Sequence, residues 1–201
     1  MGKENNLVVP ALNVEIVELV LVGDSPLISH RFSDKNKESM LAIKQNKKKQ
    51  GREACDPEQE FKDSLYEIPG TPGLYGFPAM AFKLAAVRGA KSIPDLPMTD
   101  ARGMFRIECE NHMLIPLRYD ELKMVEDVVR IGRGSSDLRY RGYFYNWETT
   151  VRIKYNSSVT RLETLIMMFD VAGFGVGVGD WRPEKGGMYG TFHVKKDGEL
   201  L

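Results

Sequence analysis

From Leu138 to Tyr155 the chain is dense in aromatic and β-branched residues whose character alternates with period two, which only an extended backbone can use. In the first half, Leu138, Tyr140 and Phe144 fall on one face and Arg139, Arg141, Tyr143 and Tyr145 on the other. In the second half, Val151, Ile153 and Tyr155 belong to the opposite parity and alternate with Arg152 and Lys154. A one-residue change of phase would turn every side chain over, so a bulge or turn is expected at Asn146-Trp147.

The remaining chain supplies both helices and strands. Leu12 to Val22 suits a first strand in which Val14 and Ile16 alternate with charged residues, and Gly23 to Pro26 turns the chain. Ser33 or Asp34 can cap a helix running toward Lys49, and a second helix is expected after Asp56-Pro57. Neither has a wide apolar stripe, so residues 33–73 read as a peripheral charged insertion ending at the Pro69 to Gly73 turn cluster. Met80, Ala81, Leu84, Ala85 and Val87 form the apolar face of a buried helix, which Pro94 and Pro97 end. Phe105 to Cys109, Met113 to Leu117 and Val125 to Ile131 read as strands, while Thr99 to Gly103 is ambiguous. Ser157 or Ser158 can cap a last helix bearing Leu162, Leu165, Ile166 and Phe169, and a closing strand follows at Tyr189 to Val194. This order predicts an α+β fold of helices on an antiparallel sheet. With 201 residues, a single domain over 1–201 is expected, large enough to bury roughly 70% of the unfolded surface.

Charge and composition exclude several classes. Lys plus Arg and Asp plus Glu both number 28, so net charge gives no reason to invoke nucleic acid. The distribution differs: Lys35, Lys37, Lys44, Lys47 to Lys49 and Arg52 form a basic block, followed by an acidic one from Glu53 to Glu67. That pairing reads as a solvated insertion, or as an arm that touches phosphate. Apolar stretches are interrupted by charge or glycine and the first residues lack an apolar export core, so a cytoplasmic protein without a membrane span is expected. Two distant cysteines, Cys55 and Cys109, and three dispersed histidines predict no disulfide framework and no metal.

Gly173, Gly175, Gly177 and Gly179 recur at every second position. If extended, they present a bare face for close approach; if at positive φ, they expose N–H groups to an anion. A helix precedes them and a strand follows, the reverse of a dinucleotide fingerprint, and no Gly-Lys-Ser or Gly-Lys-Thr ends the loop. Asp180-Trp181-Arg182-Pro183-Glu184-Lys185 comes next. Trp181 offers a stacking plane and Arg182 and Lys185 offer phosphate contacts, as in single-stranded nucleic-acid grooves. The alternative is an indole capping the core and an Arg182–Glu184 surface pair.

Arg130 and Arg133 lead into Arg139, Arg141, Tyr143 and Tyr145, a basic and aromatic strand face that could hold a nucleic-acid strand without reading it. Alternatively, these tyrosines cover a second apolar layer with the arginines reaching outward. His30, just beyond the first strand, is the one histidine considered as a general base, and no nucleophile elbow, zinc-protease helix or paired-carboxylate signature occurs.

Four segments carry a resemblance: Ser25 to Phe32, Tyr75 to Ala79 with its helix, Arg130 to Gly134 with Asp137 to Arg141, and Gly177 to Lys185. Together they resemble a family of largely uncharacterised bacteriophage and prophage proteins. A late helix, a glycine-rich loop and a final strand are also similar to the RAMP proteins of CRISPR systems, whose RRM-like domains bind guide RNA. That likeness implies an RRM/ferredoxin-like antiparallel sheet with helices on one face, the glycine-rich loop Gly173 to Gly179 before the last strand, and nucleic acid beside Arg182 and Lys185.

The expected function is therefore a phage-encoded, non-catalytic binder of single-stranded RNA or DNA, without a cofactor, forming a homo-oligomer along the strand. The expected site comprises Arg130, Arg133, Arg139, Arg141, Tyr143, Tyr145, Gly175, Gly177, Gly179, Trp181, Arg182 and Lys185. Two rivals are a metal-independent ribonuclease, with His30 as base and Arg182 or Lys185 stabilising the phosphate, and an antagonist or scaffold that binds a host or phage protein through the insertion.

Overall fold

The computed structural model describes residues 12–32, 34–45, 56–110, 113–131 and 134–196. Strands β1 (Val14–Gly23) and β2 (Leu27–Ser29) precede helices α1 (Asp34–Lys44) and α2 (Pro57–Ser64). Next come β3 (Gly76–Pro78), α3 (Ala79–Gly89), α4 (Met98–Met104), β4 (Phe105–Glu108) and β5 (Leu114–Pro116). The long strands β6 (Glu121–Ile131), β7 (Ser135–Tyr145) and β8 (Glu148–Asn156) follow, then α5 (Leu162–Gly175) and β9 (Phe192–Val194).

The main sheet has the order β4-β8-β1-β9, with every neighbour antiparallel. β1 and β4 flank β8 and are joined through α3; β8 and β9 flank β1 and are joined through α5. Two interlocked split βαβ units make a ferredoxin-like, antiparallel α+β fold. Leu19, Leu21, Val151, Ile153 and Phe105 of this sheet share one core with Phe82, Ala86, Leu165, Met168 and Phe169 of α3 and α5. The two helices close on each other where Gly89 has no side chain: a Cβ there would lie 2.9 Å from the Ala172 Cβ and the Met168 carbonyl. A three-stranded sheet, β2-β7-β6, and the pair β3-β5 complete the architecture.

Asn146 adopts a left-handed conformation at φ 47°, and the chain there leaves one sheet for another: β7 pairs β2 and β6, whereas β8 pairs β1 and β4. The change of apolar phase is thus a change of sheet. Trp147, fully buried, fills the corner and donates its indole N–H to the Ser25 carbonyl at 2.9 Å.

Several local expectations are corrected. In β1 it is Leu19 and Leu21 that face the helices, while Val14 and Ile16 are exposed, so the inward parity is the opposite of the one read from Val14 and Ile16. In α3 the buried face is Ala79, Phe82, Ala85, Ala86 and Val87; Met80 and Leu84 face solvent. Arg161 precedes α5 without a side-chain cap, and Ser157 and Ser158 lie in the turn before it. The ambiguous stretch near Thr99 is α4. The expected second helix forms as α2, with Asp56 accepting from the N–H groups of Glu58 and Gln59.

The span 33–73 divides in two. α1 exposes Met40, Leu41 and Ile43, and residues 33 and 46–55, with most of the basic block, lie outside the described residues. At Ser64 the chain turns inward: Ser64, Leu65 and Ile68 are buried, and Leu65 occupies the space a Cβ on Gly142 of β7 would need, while Pro69 to Gly73 are exposed.

Candidate functional site

One face of β7 carries Arg139, Arg141 and Tyr143, as the alternation predicts. That face is covered, however, by carboxylates and by the loop after α5. Arg141 is 2% exposed. Its Nη1 donates to Asp180 Oδ2 at 2.7 Å, its Nη2 to Asp127 Oδ2 at 2.7 Å, and its Nε to the same Asp127 oxygen at 3.2 Å. Tyr143, also buried, donates its hydroxyl to Asp127 Oδ2 at 2.8 Å. Burial, followed by that bond and the Asp127 charge, pushes the phenol far above its usual range. The Tyr189 ring stands edge-on to Tyr143, with centroids 5.6 Å apart.

Asp180 reaches this position through the glycines. Gly173 and Gly175 belong to the last turn of α5 rather than to an extended segment. Gly173 makes room for the Phe192 carbonyl, which a Cβ would approach to 1.8 Å, while nothing lies within 4 Å of one on Gly175. Gly177 and Gly179 have φ 69° and 80°, a region open to glycine without steric cost. A Cβ on Gly179 would sit 2.6 Å from the Ile28 carbonyl, to which the Asp180 N–H donates at 3.2 Å. The loop is therefore fastened to β2 immediately before His30.

His30 Nδ1 lies 2.8 Å from Asp180 Oδ2, a carboxylate that only accepts, so Nδ1 carries the proton and the ring orientation is set. Arg139 Nη1 approaches the same nitrogen at 3.4 Å, and its Nε donates to Asp137 Oδ2 at 3.4 Å. Burial opposes the charge on Asp180, but the His30 bond and the charges of His30 and Arg141 outweigh it and hold the carboxyl below its ordinary value. This arrangement can hold an imidazole for acid–base work through Nε2. Among the described residues, no group of three or more His, Cys, Asp or Glu converges as a metal site requires.

Trp181 is 44% exposed and sits at φ 52°, a conformation that costs a non-glycine residue about 1 kcal/mol or more. Its backbone is held from several sides. The Tyr189 N–H donates to its carbonyl at 3.0 Å, and Gly187 packs so close to that carbonyl that a Cβ would come within 1.8 Å. The Arg182 guanidinium secures the turn by donating to the Gly179 carbonyl at 2.9 Å and to Glu184 Oε2 at 2.9 Å. Glu184 is shared with Arg88 of α3 at 2.8 Å.

The twelve expected site residues are thus distributed. Arg141 meets Asp180 of the Gly177 to Lys185 loop, Tyr143 packs on Tyr189, and Arg139 contacts His30 and Asp137; Arg141 and Arg182 spend their charge inside the protein, whereas Lys185 is exposed. Arg130 lies exposed on β6, Tyr145 is half-buried with the Lys123 ammonium 5.0 Å from its ring, and Arg133 lies outside the described residues, as does His112. Asp127, Asp180 and the Asp180–His30 pair were missed. Asp180 and His30 are 150 residues apart, and the one sequence signal, the adjacency of Asp180 to Trp181, does not name a partner.

No family model and no curated protein matches the chain. Among solved structures it is similar to Cmr6 from Pyrococcus furiosus over 92% of this chain and 100% of that one, with 10% sequence identity and a TM-score of 0.43. No helix among the described residues is long and apolar enough to cross a membrane.

Proposed function

We propose that the chain is a phage-encoded protein that binds single-stranded RNA or DNA in the bacterial cytoplasm without cleaving it. The observation that carries this reading is Trp181: a half-exposed indole kept in a left-handed backbone conformation by the Gly187 contact and the Tyr189 hydrogen bond. Strain of this kind persists only where surrounding structure enforces it, and an exposed indole on a backbone so held is a stacking plane for a base. Lys185, Arg139 and Arg130 supply phosphate contacts, and Arg141 and Arg182 position the loop. A filter-binding titration of homopolymers at two salt concentrations tests the proposal. Retention should weaken as salt rises, because phosphate contacts release counterions. No retention at low salt removes it.

The His30–Asp180 pair favours one second reading, a metal-independent ribonuclease with His30 as base. It requires that labelled RNA be cut in EDTA and that His30→Ala stop the cutting. Intact RNA with the unaltered protein excludes it.

A further inference from the structure

β6 is the outer strand of the β2-β7-β6 sheet, and among the described residues none pairs with its outer side. It is eleven residues long and carries no proline. On one face Met124 and Val128 are 46% and 69% exposed, and Leu138, opposite Val128 on β7, is 41% exposed. A long edge strand with exposed apolar side chains is the feature that natural sheets cover or blunt. The outward groups can be assigned. The Gly142 N–H is taken by Ser64 Oγ on the far side of β7, so Gly142 and its partner Met124 both turn their amides away from the β6–β7 ladder. By alternation, the even-numbered residues of β6 present N–H and C=O to the free edge.

We propose that this edge pairs with the same edge of a second copy, antiparallel and about a two-fold axis centred on Val125. Residues opposite each other in an antiparallel ladder point to one face, so such an axis must pass beside a residue that meets itself. Centring on Glu126 or Asp127 sets like carboxylates together, and centring on Met124 opposes Glu121 and Asp127. Centring on Val125 opposes no like charges along the strand. It places Lys123 against Asp127 and Met124 against Glu126, each twice by symmetry, with Leu122 against Val128 and Val125 against itself. Asp127 can take part because its bonds to Arg141 and Tyr143 all end on Oδ2. Lys123 already pairs with Glu121 at 2.8 Å, but both side chains are about half exposed and can exchange partners at little cost.

This dimer is independent of nucleic-acid binding, so it is tested on full-length protein whose 260/280 nm absorbance ratio shows that nucleic acid is gone. Light scattering after size exclusion should give a dimer that dissociates on dilution. Glu126→Pro removes an outward N–H and leaves the β7 ladder intact, and should yield a monomer with unchanged circular dichroism. Met124→Glu, which opposes Glu126 of the second copy, should weaken the dimer about tenfold, and Glu126→Lys added to it should restore the affinity. A wild-type monomer at the highest concentration overturns the proposal, as does an assembly that survives Glu126→Pro. If Glu126→Pro does not fold, the charge-exchange pair decides: failure of Glu126→Lys to rescue Met124→Glu overturns the register.

Discussion

Arg141 Nη1 donates to Asp180 Oδ2 at 2.7 Å, and this bond ties the middle of β7 to the loop that leaves α5. The same guanidinium neutralises Asp127, so one buried cation serves two carboxylates from different parts of the chain. Removing a buried partner strands the charges it compensated, which typically costs 3–5 kcal/mol. Here Asp127 and Asp180 keep 23% and 40% of their side-chain exposure and can rehydrate in part. Arg141→Ala is therefore expected to cost about 3 kcal/mol, read as a lower midpoint with unchanged slope in urea unfolding. A midpoint within error of wild type would mean that the triad is not a structural joint.

The depressed Asp180 carboxyl fixes a pH dependence. A carboxyl held below its unfolded value contributes stability that is complete above that value and is lost as pH falls through the folded one. Asp180 should contribute fully at neutral pH and lose its effect below the ordinary aspartate value of 3.8. Thermal midpoints measured from pH 6 to pH 2 should fall less steeply for Asp180→Asn than for wild type in the acid limb. Parallel curves would show that the pair with His30 does not perturb Asp180.

The glycine run makes a contrasting pair of predictions. A Cβ on Gly173 would collide with the Phe192 carbonyl, a backbone atom that cannot move without displacing β9. Gly173→Ala should destabilise by about 3 kcal/mol or more. Gly175→Ala meets nothing within 4 Å on an exposed helical turn and should be neutral or stabilising by up to about 1 kcal/mol. Chemical denaturation of both variants checks this, and equal effects would contradict the close approach of β9 to α5.

These glycines also show what the sequence could reveal. Alternate spacing suggested one extended surface, yet two glycines close a helix and two turn a loop, because spacing carries no information about φ. The break at Asn146-Trp147 was legible because a phase change in a period-two pattern has few backbone solutions. The inward face of β1 was not, since aliphatic residues occupy both parities and only the docking of α3 and α5 chooses between them. Nor could Arg139, Arg141, Tyr143 and Tyr145 reveal their surroundings. A basic and aromatic strand face looks the same whether it meets water or, as Arg141 does, carboxylates at positions 127 and 180. The order of strands and helices constrained topology more strongly, because few chain paths join split βαβ units into one antiparallel sheet.

The last prediction separates stability from binding at Trp181. Its φ of 52° is unfavourable for tryptophan and natural for glycine, and its side chain is 44% exposed, so little core packing depends on the indole. In Trp181→Gly the relief of backbone strain opposes the loss of contacts and the greater freedom of the unfolded chain, and stability should stay within about 1 kcal/mol of wild type. Affinity for a homopolymer should nevertheless fall by roughly 1–3 kcal/mol with the salt dependence retained, because a stacking plane is lost and no phosphate contact is. Lys185→Ala should do the reverse: binding weakens modestly and its salt dependence becomes shallower. Thermal unfolding and titrations at two ionic strengths measure both. A Trp181→Gly protein that is folded and binds normally would move the site away from the loop, toward the Arg139 side of β7.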